Sequence, residues 1–300
     1  MIPRRLIYLL MIVAVGAPVL FGISQSPSRM VSAERMYSVM ESVSFAPGEV
    51  AMVWLDFGPN TIAENEPQAA VIIEHLFRRR VPVVLLSQYQ QSEGFLRRIP
   101  QEISERLERE FPGEQWRYGE AWINAGYKPG AAIFIQALVN APDISKFLGR
   151  DVSGMPITHY PKFASIGGVE RVKLVAEVTG LVGVFDTVVQ FFQKKRYRPT
   201  LVHGCTSITI PEAYIFLDSG QLNGLLEGIA GAAWYSEVLR KNFPLSDNSK
   251  LLVTNTALSA AHIMIIMLII AGNVGQWLVP VLVRRRKQMI SSAKGEDPRE

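Results

Sequence analysis

The 300-residue chain is 48% hydrophobic and carries a formal net charge of +4. The basic excess is confined to the ends: Arg4 and Arg5 on one side, and Arg284, Arg285, Arg286, Lys287, Lys294 and Arg299 beside Glu296, Asp297 and Glu300 on the other. Without those eight basic and three acidic residues, 23 basic and 24 acidic remain, a net charge of −1, which excludes the broad basic face that nucleic-acid phosphates require.

From the N-terminus, Leu6 to Ile23 is eighteen residues without a charge, preceded by Arg4 and Arg5. It reads as a membrane anchor (residues 1–23) rather than a cleaved leader, because no Ala-x-Ala site follows and Gly22-Ile23-Ser24 is a poor substitute. Residues 24–46 read as a juxtamembrane linker with a weak helical pattern at Ala33, Met36, Val39 and Met40.

Residues 47–250 read as one α/β domain. Val50–Asp56 and Val81–Ser87 are short apolar runs of buried-strand type, followed respectively by helical spacing over Glu64–Arg80 and Phe95–Phe111. A polar, aromatic loop (Trp116, Tyr118, Trp122, Tyr127) precedes a third apolar run, Ala131–Val139, and a Pro- and Gly-rich connection leads to the strand Val172–Thr179. Leu181–Arg196 reads as a helix, Leu201–Thr209 and Ala213–Leu217 as strand-like runs, and Gln221–Arg240 as a final helix. Alternation of this length implies a mostly parallel, Rossmann-like sheet with helices on both faces.

The last apolar segment, 251–283, ends in Arg284-Arg285-Arg286-Lys287, the start of a basic tail (284–300). Positive residues beside a membrane helix stay on the cytoplasmic side, so a two-pass inner-membrane protein is expected, both termini cytoplasmic and the domain outside. With about 100° per residue and His262 set at zero, Asn255 and Asn273 fall near about +20°, Ser259 near about +60° and Gln276 near about −40°. Five polar side chains thus share one face, which is costly against lipid and expected at a helix–helix interface. Leu268, at about −120°, is expected to face lipid.

Polar residues at the expected strand ends form a candidate ligand cleft, since open α/β sheets bind ligands beyond their carboxyl edges. Asp56, Asn60, Glu64 and Glu66 follow the first strand, Ser87, Gln88 and Gln91 the second, Thr179 the fourth, and Asp218 and Ser219 the last. The ligand-binding set is Asp56, Asn60, Glu64, Asp218 and Ser219; the bland alternative is that these are helix caps and turn formers. His203, Cys205 and Ser207 point one way along a strand, but lack an oxyanion loop or an orienting third residue, and a buried strand cysteine is usually inert. Cys205 is the single cysteine, which excludes an intrachain disulfide, and His75, His159, His203 and His262 have no metal-ligand spacing. Phosphate-loop, dinucleotide and serine-elbow signatures are absent. No catalytic residue, metal or cofactor is therefore expected.

Tyr127-Lys128-Pro129-Gly130, and Asp218-Ser219-Gly220-Gln221-Leu222 running into Gly228–Ala233, resemble segments of a group of prokaryotic membrane-anchored, Rossmann-like α/β proteins, over roughly the middle two-thirds of the chain. The resemblance implies the architecture and transfers no activity or site. The leading expectation is a non-enzymatic envelope protein, a structural or accessory subunit assembling with copies of itself or other membrane subunits. The alternatives are an extracytoplasmic binding or sensory domain for a small polar ligand, and an envelope hydrolase or transferase.

Overall fold

The computed structural model describes residues 3–193, 197–244, 246 and 248–293, with side chains as far as residue 276. Residues 27–248 form one unit; residues up to 26 and from 249 onward form another. Residues 294–300 of the expected tail lie outside the described residues, as does the end of the expected helix at 194–196.

In the first unit six strands, β1 (Val50–Asp56), β2 (Val83–Ser87), β3 (Trp122–Tyr127), β4 (Val172–Thr179), β5 (Thr200–Cys205) and β6 (Gly224–Glu227), build one sheet. All pairings are parallel and the order is β3-β2-β1-β4-β5-β6. Every residue of β1 and β2 is buried, as expected when both sheet faces are covered and the strands are apolar throughout instead of alternating. Helices α2 (Val31–Ser42), α3 (Ile62–Arg78), α4 (Glu93–Glu110) and α9 (Gly228–Asn242) cover one face. Helices α5 (Ala131–Asn140), α6 (Ile144–Leu148), α7 (Val184–Phe192) and α8 (Ile210–Asp218) cover the other, around Trp54, Phe163, Phe185 and Phe192.

Five sequence expectations change. The aromatic loop contains the edge strand β3, whose Asn124 and Gly126 disguise it, and the apolar run 131–139 is helix α5, with Ile135, Leu138 and Val139 inward at helical spacing. The expected strand 213–217 lies in α8, which Pro211 opens at its first turn. The expected helix 221–240 is broken at Gly228, whose φ of +56° turns the chain out of β6 into α9. Finally, 24–46 is not all linker: α2 buries Ala33, Met36 and Met40 against β6 and α9. A Cβ on Gly224 would fall 2.8 Å from the Met36 Cα, so only glycine permits that approach.

A polar clasp also fixes α2. His75 on α3 is buried between the Tyr235 hydroxyl, which meets Nδ1, and the Glu41 carboxylate of α2, 2.7 Å from Nε2, while the Tyr37 ring stacks on the imidazole at 4.7 Å. Burial lowers the His75 pKa to about 4 against the pull of Glu41, so the ring is neutral: Nε2–H donates to Glu41 and Nδ1 accepts from Tyr235.

The second unit contains α1 (Arg4–Phe21) and α10 (Ser249–Ala293), two helices long and apolar enough to cross a membrane. They run antiparallel: the Gln25 N–H, just past α1, donates to Thr256 Oγ1 near the start of α10 at 2.9 Å. The less exposed positions of α1 are Ile7, Leu10, Met11, Ala14, Ala17 and Pro18, and those of α10 include Ala257, Ala260, Ala261, Met264, Leu268 and Gly275. Both sets recur every three or four residues and mark the sides on which the helices meet. Small residues on α10 let the backbones approach.

Candidate functional site

β1 and β4 are neighbours in the sheet, yet β1 leads into α3 on one face and β4 into α7 on the other. Their carboxyl ends therefore form the topological switch point, where the chain connections diverge and a crevice opens in folds of this order. Asp56, Asn60 and Glu64 all reach this edge. Asn60 is exposed in the turn after β1. Glu64 Oε2, on the first turn of α3, accepts from the Ser207 N–H at 2.9 Å and its hydroxyl at 2.6 Å, tying α3 to the β5–α8 loop. Glu66 is drawn away into a two-pronged pair with Arg98 of α4 at 2.9 and 2.7 Å. Thr179 donates its hydroxyl to the Asp56 carbonyl at 2.7 Å.

Asp218 and Ser219 do not join them. They end α8 and precede β6, so they lie at the amino edge of the sheet, and the Ser219 hydroxyl caps the helix through the Phe216 carbonyl at 3.1 Å. The misplacement follows from reading 213–217 as a strand: a helix there reverses the edge at which its last residues emerge.

Across the switch point, side chains from both connections meet. A Cβ on Gly180 would lie 2.6 Å from Thr206 Cγ2, 2.7 Å from Thr61 Cγ2 and 3.1 Å from Asn65 Oδ1. Gln68 Nε2 donates to the carbonyls of Cys205, Leu226 and Gly228 at 2.7, 3.2 and 3.0 Å, holding the ends of β5 and β6 together. Asn65 Oδ1 and Thr61 Oγ1 remain buried without a hydrogen-bond partner.

Beneath the edge lies a residue that sequence reasoning missed. Glu177 on β4 is fully buried and stands in register between Trp54 of β1 and His203 of β5, all three on the face under α7. The neighbouring carboxyl of Asp56 accepts from Ser87 Oγ at 2.6 Å and the Gln88 N–H at 2.7 Å, whereas both carboxyl oxygens of Glu177 are buried without a hydrogen-bond partner. Burial, then the neighbouring Asp56, drives the Glu177 pKa well above the carboxylate range. Burial also raises Asp56, against the hydrogen bonds of Ser87 and Gln88. Two neighbouring buried carboxyls do not readily ionise together, so the neutral form of Glu177 is favoured. The available signal was a glutamate in the inner half of a strand, VKLVAEVT, whose other charged residue, Lys173, lies near its start.

His203 Nδ1–H donates to the Glu177 carbonyl at 2.8 Å and its ring stacks on Phe185 at 4.2 Å; burial lowers its pKa to about 4. Cys205 is sealed in the core and burial pushes its thiol up to about 12, while Ser207 turns to Glu64. The three residues thus have three separate structural partners and do not form a nucleophile–base set. Among the described residues, no group of three or more His, Cys, Asp or Glu side chains is placed to hold a metal.

The polar residues of α10 form the second candidate. Asn255 is buried, and Ser259 satisfies its hydroxyl on the Asn255 carbonyl at 2.9 Å. Ser259, His262, Asn273 and Gln276 are exposed. α1 lies on the opposite side: Ala260, Met264 and Gly275 fall at about +160°, −160° and −140° on the scale that puts His262 at zero. Leu268, expected to face lipid, is half-buried on that same side.

The class so defined is a parallel α/β sheet of doubly wound order combined with a pair of long apolar helices. Protein-family models, curated proteins and solved structures give no match to this chain.

Proposed function

We propose that this chain is a membrane-held, non-catalytic subunit of a membrane assembly, its α/β domain outside and both termini in the cytoplasm. The orientation is supported by Arg4, Arg5 and the cluster Arg284–Lys287, which border the apolar segments of the two long helices. The assembly role is carried by one observation: α1 covers the side of α10 opposite its polar stripe, leaving Ser259, His262, Asn273 and Gln276 uncovered. Polar groups in hydrocarbon pair with protein or line water, so a helix outside this chain is needed to complete α10. Purification in a gentle detergent with native mass measurement tests the reading: a species heavier than one chain supports it, and a solitary 33.4 kDa chain at every detergent ratio refutes it.

A second reading, capture of a small polar ligand at the switch point, is favoured by the unpartnered Asn65 Oδ1 and Thr61 Oγ1. Buried polar atoms without partners are rare in native proteins. A thermal-shift screen of amino acids, nucleotides and sugars tests it, with loss of the shift in Asn65→Ala as the signature.

A further inference from the structure

The uncovered face of α10 has a spacing that specifies what covers it. Ser259, His262, Ile266, Ile269, Asn273 and Gln276 are separated by three, four, three, four and three residues, the alternation of a heptad seam in a left-handed helix pair. Ile266 and Ile269, the apolar members, are 56% and 58% exposed, so no described side chain fills the seam between the polar positions. We infer that α10 pairs in parallel with the α10 of a second copy of this chain along that seam. The inference rests on the assembly role proposed above and names the partner.

Two physical arguments favour a second copy over a foreign helix. Copies of one chain insert in the same direction, so a two-fold axis along the helices places every residue opposite its own counterpart at the same depth. The polar groups on the seam are self-complementary. An asparagine or glutamine amide carries both donors and acceptors, so each pairs with an identical group. A foreign helix would need matching polar groups at the depths of His262, Asn273 and Gln276. Asn273 also occupies the position of the repeat at which one asparagine fixes register and favours the two-stranded state. The α1 contacts lie on the far side of α10 and leave the seam free.

The test is site-specific photo-crosslinking of the full-length chain in native membranes, with benzoyl-phenylalanine in place of Ile266 or, separately, of Ile270. Ile270 is equally exposed, at 56%, but lies about 80° off the His262 direction. The expected result is an adduct of twice the chain mass at Ile266, several-fold stronger than at Ile270, and reduced by His262→Leu with Asn273→Leu. An Ile266 adduct with a different polypeptide overturns the second copy and leaves the assembly role standing. Equal self-adducts at both positions overturn the seam. Absence of any adduct at either position overturns both readings.

Discussion

The carboxyl groups of Asp56 and Glu177 are buried neighbours on adjacent parallel strands, and Asp56 adds to burial in favouring the neutral form of Glu177. Ser87 and Gln88 orient the Asp56 side from β2 and its following turn, so the pair spans three central strands of the sheet.

Both carboxyl pKa values are raised by folding. A group of that kind contributes stability that is complete below its unfolded pKa, about 4 for a carboxylate, and that is lost as pH rises through the folded value. Glu177→Gln keeps a neutral hydrogen-bonding partner for Asp56 and removes the second ionisation. Its chemical-denaturation midpoint is therefore expected to match or exceed that of the parent at pH 8, with a flatter decline from pH 5 to 9. Glu177→Ala is expected to lose about 2–4 kcal/mol from the cavity and the stranded carboxyl. A steeper alkaline decline in Glu177→Gln than in the parent would show that ionisation of Glu177 does not set the alkaline limb.

Histidines give the acid limb. His75 and His203 have folded pKa values lowered by burial to about 4, below the unfolded value of about 6.5. The unfolded chain therefore takes up protons first, and stability that is complete above about pH 6.5 falls as pH drops towards 4. Denaturation midpoints between pH 7 and 4.5 are expected to fall in the parent and to fall less in His203→Phe, which keeps the stack on Phe185. Tyr235→Phe leaves His75 Nδ1 unpaired and is expected to destabilise by about 1–3 kcal/mol at pH 7.

The docking of α2 rests on the missing side chain at position 224. Gly224→Ala places a Cβ 2.8 Å from the Met36 backbone and is expected to cost about 1–3 kcal/mol through strain. Limited proteolysis of the full-length protein in detergent is the readout: cleavage within 31–42 is expected to accelerate before the rest of the domain is cut. Unchanged protection would mean that α2 yields without leaving its seat.

On α10, substitution of the seam's polar groups tests association directly. Interhelical hydrogen bonds in membranes contribute about 0.6 kcal/mol on average and up to roughly 2, so His262→Leu with Asn273→Leu is expected to weaken association by about 1–1.5 kcal/mol, around ten-fold in the dissociation constant. Ile270→Ala is the control. Leu268→Ala is unsuitable, because that residue packs on the α1 side. Equal association in the double variant and the control would make the stripe incidental.

Local pattern alone determined a large part of this protein. The largely apolar runs at 50–56 and 172–179 announce buried strands, and amphipathic spacing at 64–80 and 95–111 announces their helices. Two charge-free segments with basic flanks announce the long apolar helices, and the polar stripe of α10 follows from angular arithmetic alone. These features are legible because each repeats one physical preference over seven or more residues. Segments of four to nine residues were decided by the tertiary structure. Trp122–Tyr127 is a strand because β2 offers an open edge, Ile210–Asp218 is a helix because its apolar side meets Phe185 and Leu225, and Gly224–Glu227 pairs only because β5 lies beside it. Which edge of the sheet Asp218 occupies depends on those outcomes, as does the meeting of Asp56 with Glu177. Nor does α10 reveal on which side α1 will lie. Contacts between residues distant along the chain form only when loop-closure entropy is offset by burial shared across many groups, and no local window of sequence contains that balance.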